Sequence, residues 1–279
     1  DAAGGGRIPV GSVVSSPVVR VWKSERPLPP ELSPWLSDVV WLRGHGVERV
    51  LGGSNIEDAS SLVKRAREGA ARRARFLSHA ASTPTVAGTA GVLARERFGL
   101  TTGPTAGLSG EVALMVPLPG AAPRPSLLRV YVEDRPLEAI AIEPAFCPLA
   151  FDAAVTWPGG LRPRFDYDGV ERDARLNQAL HAVSMVAIGM ANRAAERLKQ
   201  LEPPDRAVLV RVLCDAVAAW SIVPAKLGLL APGPGHFRRD LRKLYRAEII
   251  PLHTGERASL QSLAAYVDEK KALCVVPTV

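Results

Sequence analysis

Between residues 107 and 201 the rhythm of apolar positions changes once. Over 110–118, Val112, Leu114, Val116 and Leu118 alternate with Glu111, Ala113, Met115 and Pro117, the period of a strand. Leu128, Val130 and Val132 repeat the pattern over 126–133, and 137–142 and 149–155 read as two further strands. Gly- and Pro-rich connectors separate them, as short-looped antiparallel neighbours require. From Asp168 onward the spacing lengthens to three and four, through Leu176, Leu180, Val183, Val186 or Ala187, Met190, Ala194 and Leu198. That stripe predicts one helix of about 30 residues, some 45 Å at ~1.5 Å per residue. Asp168 is its expected N-cap, with Glu171 three positions on as in a capping box.

Residues 8–22 are rich in valine and read as one or two strands, followed by the stiff connector Arg26-Pro-Leu-Pro-Pro30. Ser33 or Ser37 can cap a short helix carrying Trp35, Leu36, Val39, Val40 and Trp41, which stops at Gly44 or Gly46. Residues 47–51 resemble a buried strand. A helix is expected over 56–81, capped by Ser54 or Asn55, with Glu57 and Asp58 in its first turn and an apolar stripe of Leu62, Ala66, Ala70, Ala74 and Leu77. Residues 82–106 are rich in Thr, Gly and Pro, with a helical interlude at Val92–Arg97 and a domain boundary near 101–106. Beyond the long helix, Asp205 caps another running to Trp220, and residues 224–235 form a Pro/Gly break. A short basic helix over 237–246 leads to strand 248–252, loop 253–257, helix 259–269 and strand 272–276. The last three elements predict a parallel β-α-β unit with a right-handed crossover.

The fold class is therefore α/β with α+β character: a mixed sheet braced by a long helix, plus a C-terminal β-α-β unit. Three regions follow, namely 1–105 as an N-terminal α/β region, 106–201 as the sheet with its long helix, and 202–279 as the helical segment with the β-α-β unit.

Composition adds bounds. The 279 residues are 47% hydrophobic and 23% charged, a globular balance; a chain of this size buries roughly 70–75% of its unfolded surface. No apolar run approaches the ~18 residues of a membrane span, and the first residues contain no signal-peptide core. Absence of an initiator Met suggests a segment or a processed product. Cys147, Cys214 and Cys274 form no C-x-x-C pair, and are expected to be core thiols of a reducing, cytoplasmic setting. Net charge is +7. Basic residues gather at Lys64, Arg65, Arg67, Arg72, Arg73 and Arg75, and again at Arg238, Arg239, Arg242 and Lys243. Each cluster reads either as a solvated helix face or as a nucleic-acid or anion contact.

Recognisable chemistry is sparse. Neither G-x-x-x-x-G-K-[ST] nor G-x-G-x-x-G occurs. Gly107-Leu-Ser-Gly110 fails the spacing of a nucleophile elbow. The histidines at 45, 79, 181, 236 and 253 never pair at i,i+3 or i,i+4, so no metal site is legible. Asp166 and Asp168 flank Tyr167 as turn or capping residues, with loose cation binding as the alternative. His253-Thr-Gly-Glu-Arg257 joins a strand to a helix, where ligands often sit in α/β folds. Met185, Met190 and His181 on the long helix are expected in or beside the core.

Gly107-Leu-Ser-Gly-Glu-Val-Ala-Leu, then Leu128-Arg-Val-Tyr-Val-Glu-Asp-Arg-Pro-Leu137, then a long amphipathic helix together resemble the middle, transducer-like region of GHKL-type ATPases, which include HtpG-type chaperones and MutL-type repair proteins. Residues 250–260 and 273–276 are similar to the polar-loop, helix, strand ending of some such regions. The resemblance spans about 100–279 and implies a sheet and bracing helix that relay the nucleotide state of a neighbouring ATPase domain. The nucleotide-binding D-x-G-x-G is missing. On the resemblance, the chain is a segment apart from its ATPase domain or a relative that has lost it, and no cofactor is expected. The leading expectation is a non-catalytic scaffold or transducer-like module binding a protein partner, in a chaperone-like assembly. A basic nucleic-acid-binding module and an enzyme with an unrecognised active site are the alternatives. Oligomeric state is not legible.

Overall fold

A computed structural model describes residues 18–24, 26–42, 55–88, 91–116, 125–142, 147, 149–200, 206–213 and 246–270. Helices and mixed sheets together make it an α/β chain. Its residues fall into two compact units. One draws on Asp1–Ala80 and Pro163–Gly169, the other on Ala81–Arg162 and Val170–Val279.

In the first unit, β1 (Val18–Lys23) lies between β2 (Val39–Leu42) and β3 (Asn55–Asp58), parallel to both. Val19 and Val21 point into the core and their neighbours outward, the half-buried alternation expected from sequence. The helix expected through Val39–Trp41 is instead a 3-10 helix, Pro30–Trp35, followed by strand β2. Pro34 sits inside that tight turn, where its missing N–H costs little, and the β-branched pair Val39 and Val40 takes the extended form and pairs with β1. Leu28, Leu32, Leu36, Val39, Ala59, Val63 and Ala66 form the core.

Helix α1 (Ser60–Ser78) starts later than the sequence suggested, because 55–58 is drawn into β3. Asp58 still serves the helix start: its carboxylate accepts the Ser60 N–H at 3.1 Å and hydroxyl at 2.8 Å. The buried face is also rotated from the expected stripe, to Val63, Ala66, Gly69 and Phe76, leaving Leu77 47% exposed. The cause is the segment Pro163–Gly169, which packs on this helix and could not be foreseen from local periodicity.

The second unit is built on a five-stranded sheet, ordered β4 (Val92–Gly99), β5 (Ser109–Met115), β8 (Phe151–Thr156), β6 (Ser126–Val132), β7 (Arg135–Ile142). Neighbours are antiparallel except β6 and β8, which run parallel. Val92–Arg97 is strand, not the expected helical interlude: from Arg95 onward exposure alternates with period two, and the segment pairs with β5. Residues 101–106, where a boundary was expected, form the β4–β5 connection. Glu133 and Asp134 take positive φ of 49° and 58° to turn β6 into β7, the left-handed pair a tight hairpin requires.

Helix α2 (Ala174–Glu196) braces this sheet. Its N-cap is Asp173, whose carboxylate accepts the Arg175 and Leu176 N–H groups at 3.0 Å. Asp168 does not cap it, because the chain there closes a loop in which the Arg164 N–H donates to the Gly169 carbonyl at 2.7 Å. With 23 residues, α2 spans about 35 Å at 1.5 Å per residue. Ala179, Val183, Ala187, Ile188, Met190 and Ala191 pack against Leu114, Leu128, Val130, Phe151 and Val155. Met190 is a core residue as expected, and Met185 is partly buried beside it. Cys147 is buried too.

Residues 206–213 are helical, with Leu209, Val212 and Leu213 buried. A short antiparallel ladder joins β9 (Ile250–Pro251) to β10 (Arg257–Ala258) and leads into the helix Leu260–Lys270. The β-α part of the expected terminal unit is therefore present. The strands expected at 8–14, 47–51 and 272–276, the break at 224–235 and the basic helix expected from 237 lie outside the described residues. Among the described residues, no helix is long and apolar enough to cross a membrane.

Candidate functional site

The basic residues singled out on α1 divide by environment. Lys64, Arg65, Arg67, Arg73 and Arg75 are exposed and have no carboxylate partner among the described residues. Arg72 is half-buried; its Nε donates to the Asp166 carbonyl at 2.9 Å and its Nη2 lies 3.4 Å from the Asp166 carboxylate. Arg67 stands 5.7 Å over the ring of Trp22, and Arg73 stands 5.9 Å from that of Tyr167. Arg238, Arg239, Arg242 and Lys243 lie outside the described residues.

Asp166 and Asp168 sit in a turn, as expected, with the Asp168 N–H donating to the Asp166 carboxylate at 3.3 Å, but local sequence reading misses that the segment Pro163–Gly169 packs on α1. The Trp35 indole donates to the Phe165 carbonyl at 3.0 Å, the Trp35 and Phe165 rings meet edge-on at 5.7 Å, and Phe76 meets Tyr167 at 5.5 Å. Gly69 permits this approach, since a Cβ there would stand 3.3 Å from the Trp35 indole nitrogen and 3.5 Å from Asp166. Two aromatic residues among charges in Arg164-Phe-Asp-Tyr-Asp168, bounded by Pro163 and Gly169, were the available signal. Asp166 and Asp168 both face Arg164, and no group of three metal-binding side chains occurs among the described residues.

A second candidate lies in the sheet unit, where α2 runs beside strand β4. Two depressions of about 430 Å³ each follow one another along the helix. One is lined by Leu100, Pro104, Gln178, His181, Ala182, Met185 and Val186; the other by Leu93, Ala94, Met190, Ala194, Arg197 and Leu209. Glu96 and Arg193 belong to both, and their ion pair marks the boundary. The β4–β5 connection closes one end, held by the Trp157 indole donating to the Ala106 carbonyl at 2.9 Å and the Gly107 N–H donating to the Leu100 carbonyl at 2.7 Å. From Gln178 to Arg197 the trough follows about 28 Å of helix at 1.5 Å per residue. Its floor belongs to an edge strand: among the described residues, no strand pairs with β4 on its outer side.

The opposite sheet face carries buried acids, each already engaged. Glu111 accepts the Val86 N–H at 2.7 Å and stands 3.6 Å from Arg95 and 3.8 Å from Arg97. Asp152 accepts the Leu127 N–H at 3.3 Å and stands 3.8 Å from Arg129. Such pairing is what buried charge requires. Burial raises the Cys147 thiol pKa from an ordinary 9.0 to about 11, with desolvation outweighing hydrogen bonds involving Leu149 and Ser184, so the thiol is a poor nucleophile at neutral pH. His253, in the loop considered for ligands, is exposed.

Comparison with protein-family models, with curated proteins and with solved structures returned no match for this chain.

Proposed function

We propose that this chain is a non-catalytic protein-binding scaffold that takes an extended segment of a partner along strand β4. The observation behind it is the coincidence of an apolar trough with a sheet edge that no strand among the described residues pairs with. An edge strand offers backbone N–H and C=O groups at regular spacing, and an added strand gains affinity from them while alternate side chains fill neighbouring pockets. Leu93, Ala94, Ala182, Met185 and Val186 supply the apolar surface. The other sheet edge is blunted, since β7 carries Pro136 and its Glu138 carboxylate already takes the Val170 N–H at 2.9 Å and pairs with Arg172. Along β4 the Arg97 side chain is exposed, and that of Arg95, which donates to the Val86 carbonyl at 2.9 Å, is half-buried; both stand near Glu111. They oppose pairing with a second copy of this edge and favour a partner segment that alternates apolar and acidic residues.

A rigid sheet braced by α2 suits the transducer-like scaffold implied by the resemblance to GHKL middle regions, in a cytoplasmic, chaperone-like assembly. Selection of random twelve-residue peptides on the full chain tests the reading. Enriched peptides should alternate apolar and acidic positions and lose at least tenfold in affinity on Ala182→Arg, which projects a charge into the trough from a half-buried position beside the core, in a variant that keeps the wild-type circular dichroism spectrum and urea midpoint. Failure to enrich any peptide, or equal binding to the variant, would overturn it.

A further inference from the structure

The face of the first unit formed by α1 and the segment Pro163–Gly169 combines features that neither segment shows alone. On α1, Lys64, Arg65, Arg67, Arg73 and Arg75 bear no carboxylate partner among the described residues, and Glu68 is the one acid within this stretch. Packing does not require such a density of positive charge; like charges one turn apart repel. A bound polyanion relieves that repulsion. On the segment that packs against α1, Phe165 is 63% exposed, its ring supported edge-on by Trp35, and the acids that follow it are held by arginines, Asp166 by Arg72 and Asp168 by Arg164. Trp35 and Asp166 reach α1 at Gly69, so the aromatic shelf meets the helix within one turn of Arg65, Arg72 and Arg73. Arg72 is spent on Asp166, which fixes the segment, and Arg73 is held near the Tyr167 ring.

We propose that this face binds single-stranded nucleic acid, with Arg65, Arg73 and Arg75 on phosphates and Phe165 stacking on a base. Cations alone would suit any polyanion. The exposed, supported ring selects among them, because an unpaired base offers a π-face that a duplex hides and an acidic peptide lacks. The site belongs to the other structural unit and stands independently of peptide capture on β4.

Fluorescence anisotropy of a labelled twenty-nucleotide oligothymidine with the full chain tests it. Binding should weaken steeply with salt, by a slope of about −2 in log K against log salt for three phosphate contacts at ~0.7 each. Arg75→Ala should lower the slope by about 0.7, and Phe165→Ala should cost about tenfold in affinity while leaving the slope unchanged. Both side chains are exposed, so both variants should keep the wild-type circular dichroism spectrum. A duplex of equal length should bind at least tenfold more weakly, and polyglutamate should compete poorly. Absence of binding at about 50 mM salt, equal affinity for the duplex, equal competition by polyglutamate, or no effect of Phe165→Ala would each overturn the proposal.

Discussion

Gly110 shows how little room single residues have in this sheet. It sits at φ 157°, and a Cβ there would fall 2.0 Å from the Ala154 carbonyl oxygen on the neighbouring strand. Backbone cannot yield as a flexible side chain does, so Gly110→Ala should cost about 3 kcal/mol or more, read by urea denaturation. The Asp173 cap is a milder case: Asp173→Ala should cost about 1 kcal/mol and Asp173→Ser much less, by the same measurement. Cys147 makes a pH prediction. Its folded pKa is raised, so the fold gains from the neutral thiol below pH 9, where both states are protonated, and loses that gain as pH climbs from 9 to about 11. With Cys214 and Cys274 replaced by serine, labelling of the folded protein at pH 8 should run about a hundredfold slower than in urea. Rapid labelling of the folded form would refute the burial. Little of this was visible in sequence, because the demand on Gly110 comes from a strand more than forty residues away in the chain.

At the scale of elements, periodicity located most of the second unit and misjudged its ends. Strands β5, β6, β7 and β8 and the helix α2 follow from alternation and from the three-four stripe. The start of α2 did not, since both Asp168 and Asp173 precede apolar positions and only the loop closed by Arg164 and Gly169 decides between them. The helix expected to carry Trp35 to Trp41 and the helical interlude expected at Val92–Arg97 give way to strands, because pairing with β1 and β5 overrides local preference. Sheet order shows the same limit, for β8 enters between β5 and β6. That insertion buries Asp152 beside Arg129. Asp152→Ala should therefore cost about 1–2 kcal/mol, by leaving the Leu127 N–H without its acceptor and the half-buried Arg129 without its partner carboxylate, whereas combining it with Arg129→Leu should recover part of the loss in a double-mutant cycle.

For the whole molecule, the two units interleave in sequence, with Pro163–Gly169 contributing to the first although the second surrounds it in the chain. No composition shift announces that arrangement, and the aromatic shelf of the candidate nucleic-acid face was hidden with it. The basic character of α1 was legible; the exposed Phe165 ring beside Trp35 was not. The trough on the second unit was equally hidden, since Met185 and Val186 read from sequence as ordinary core positions and only the sheet order places β4 outermost among the described strands. The net charge of +7 favours acidic partners at either place.

Amide hydrogen exchange over Val92–Gly99, in the full chain with and without a saturating selected peptide, tests the central claim most directly. Strand addition predicts at least tenfold slowing at alternate β4 amides, those facing outward from β5, and no change along β7. Saturated binding with β4 exchange unchanged, or with protection confined to β7 or to α1, would contradict it.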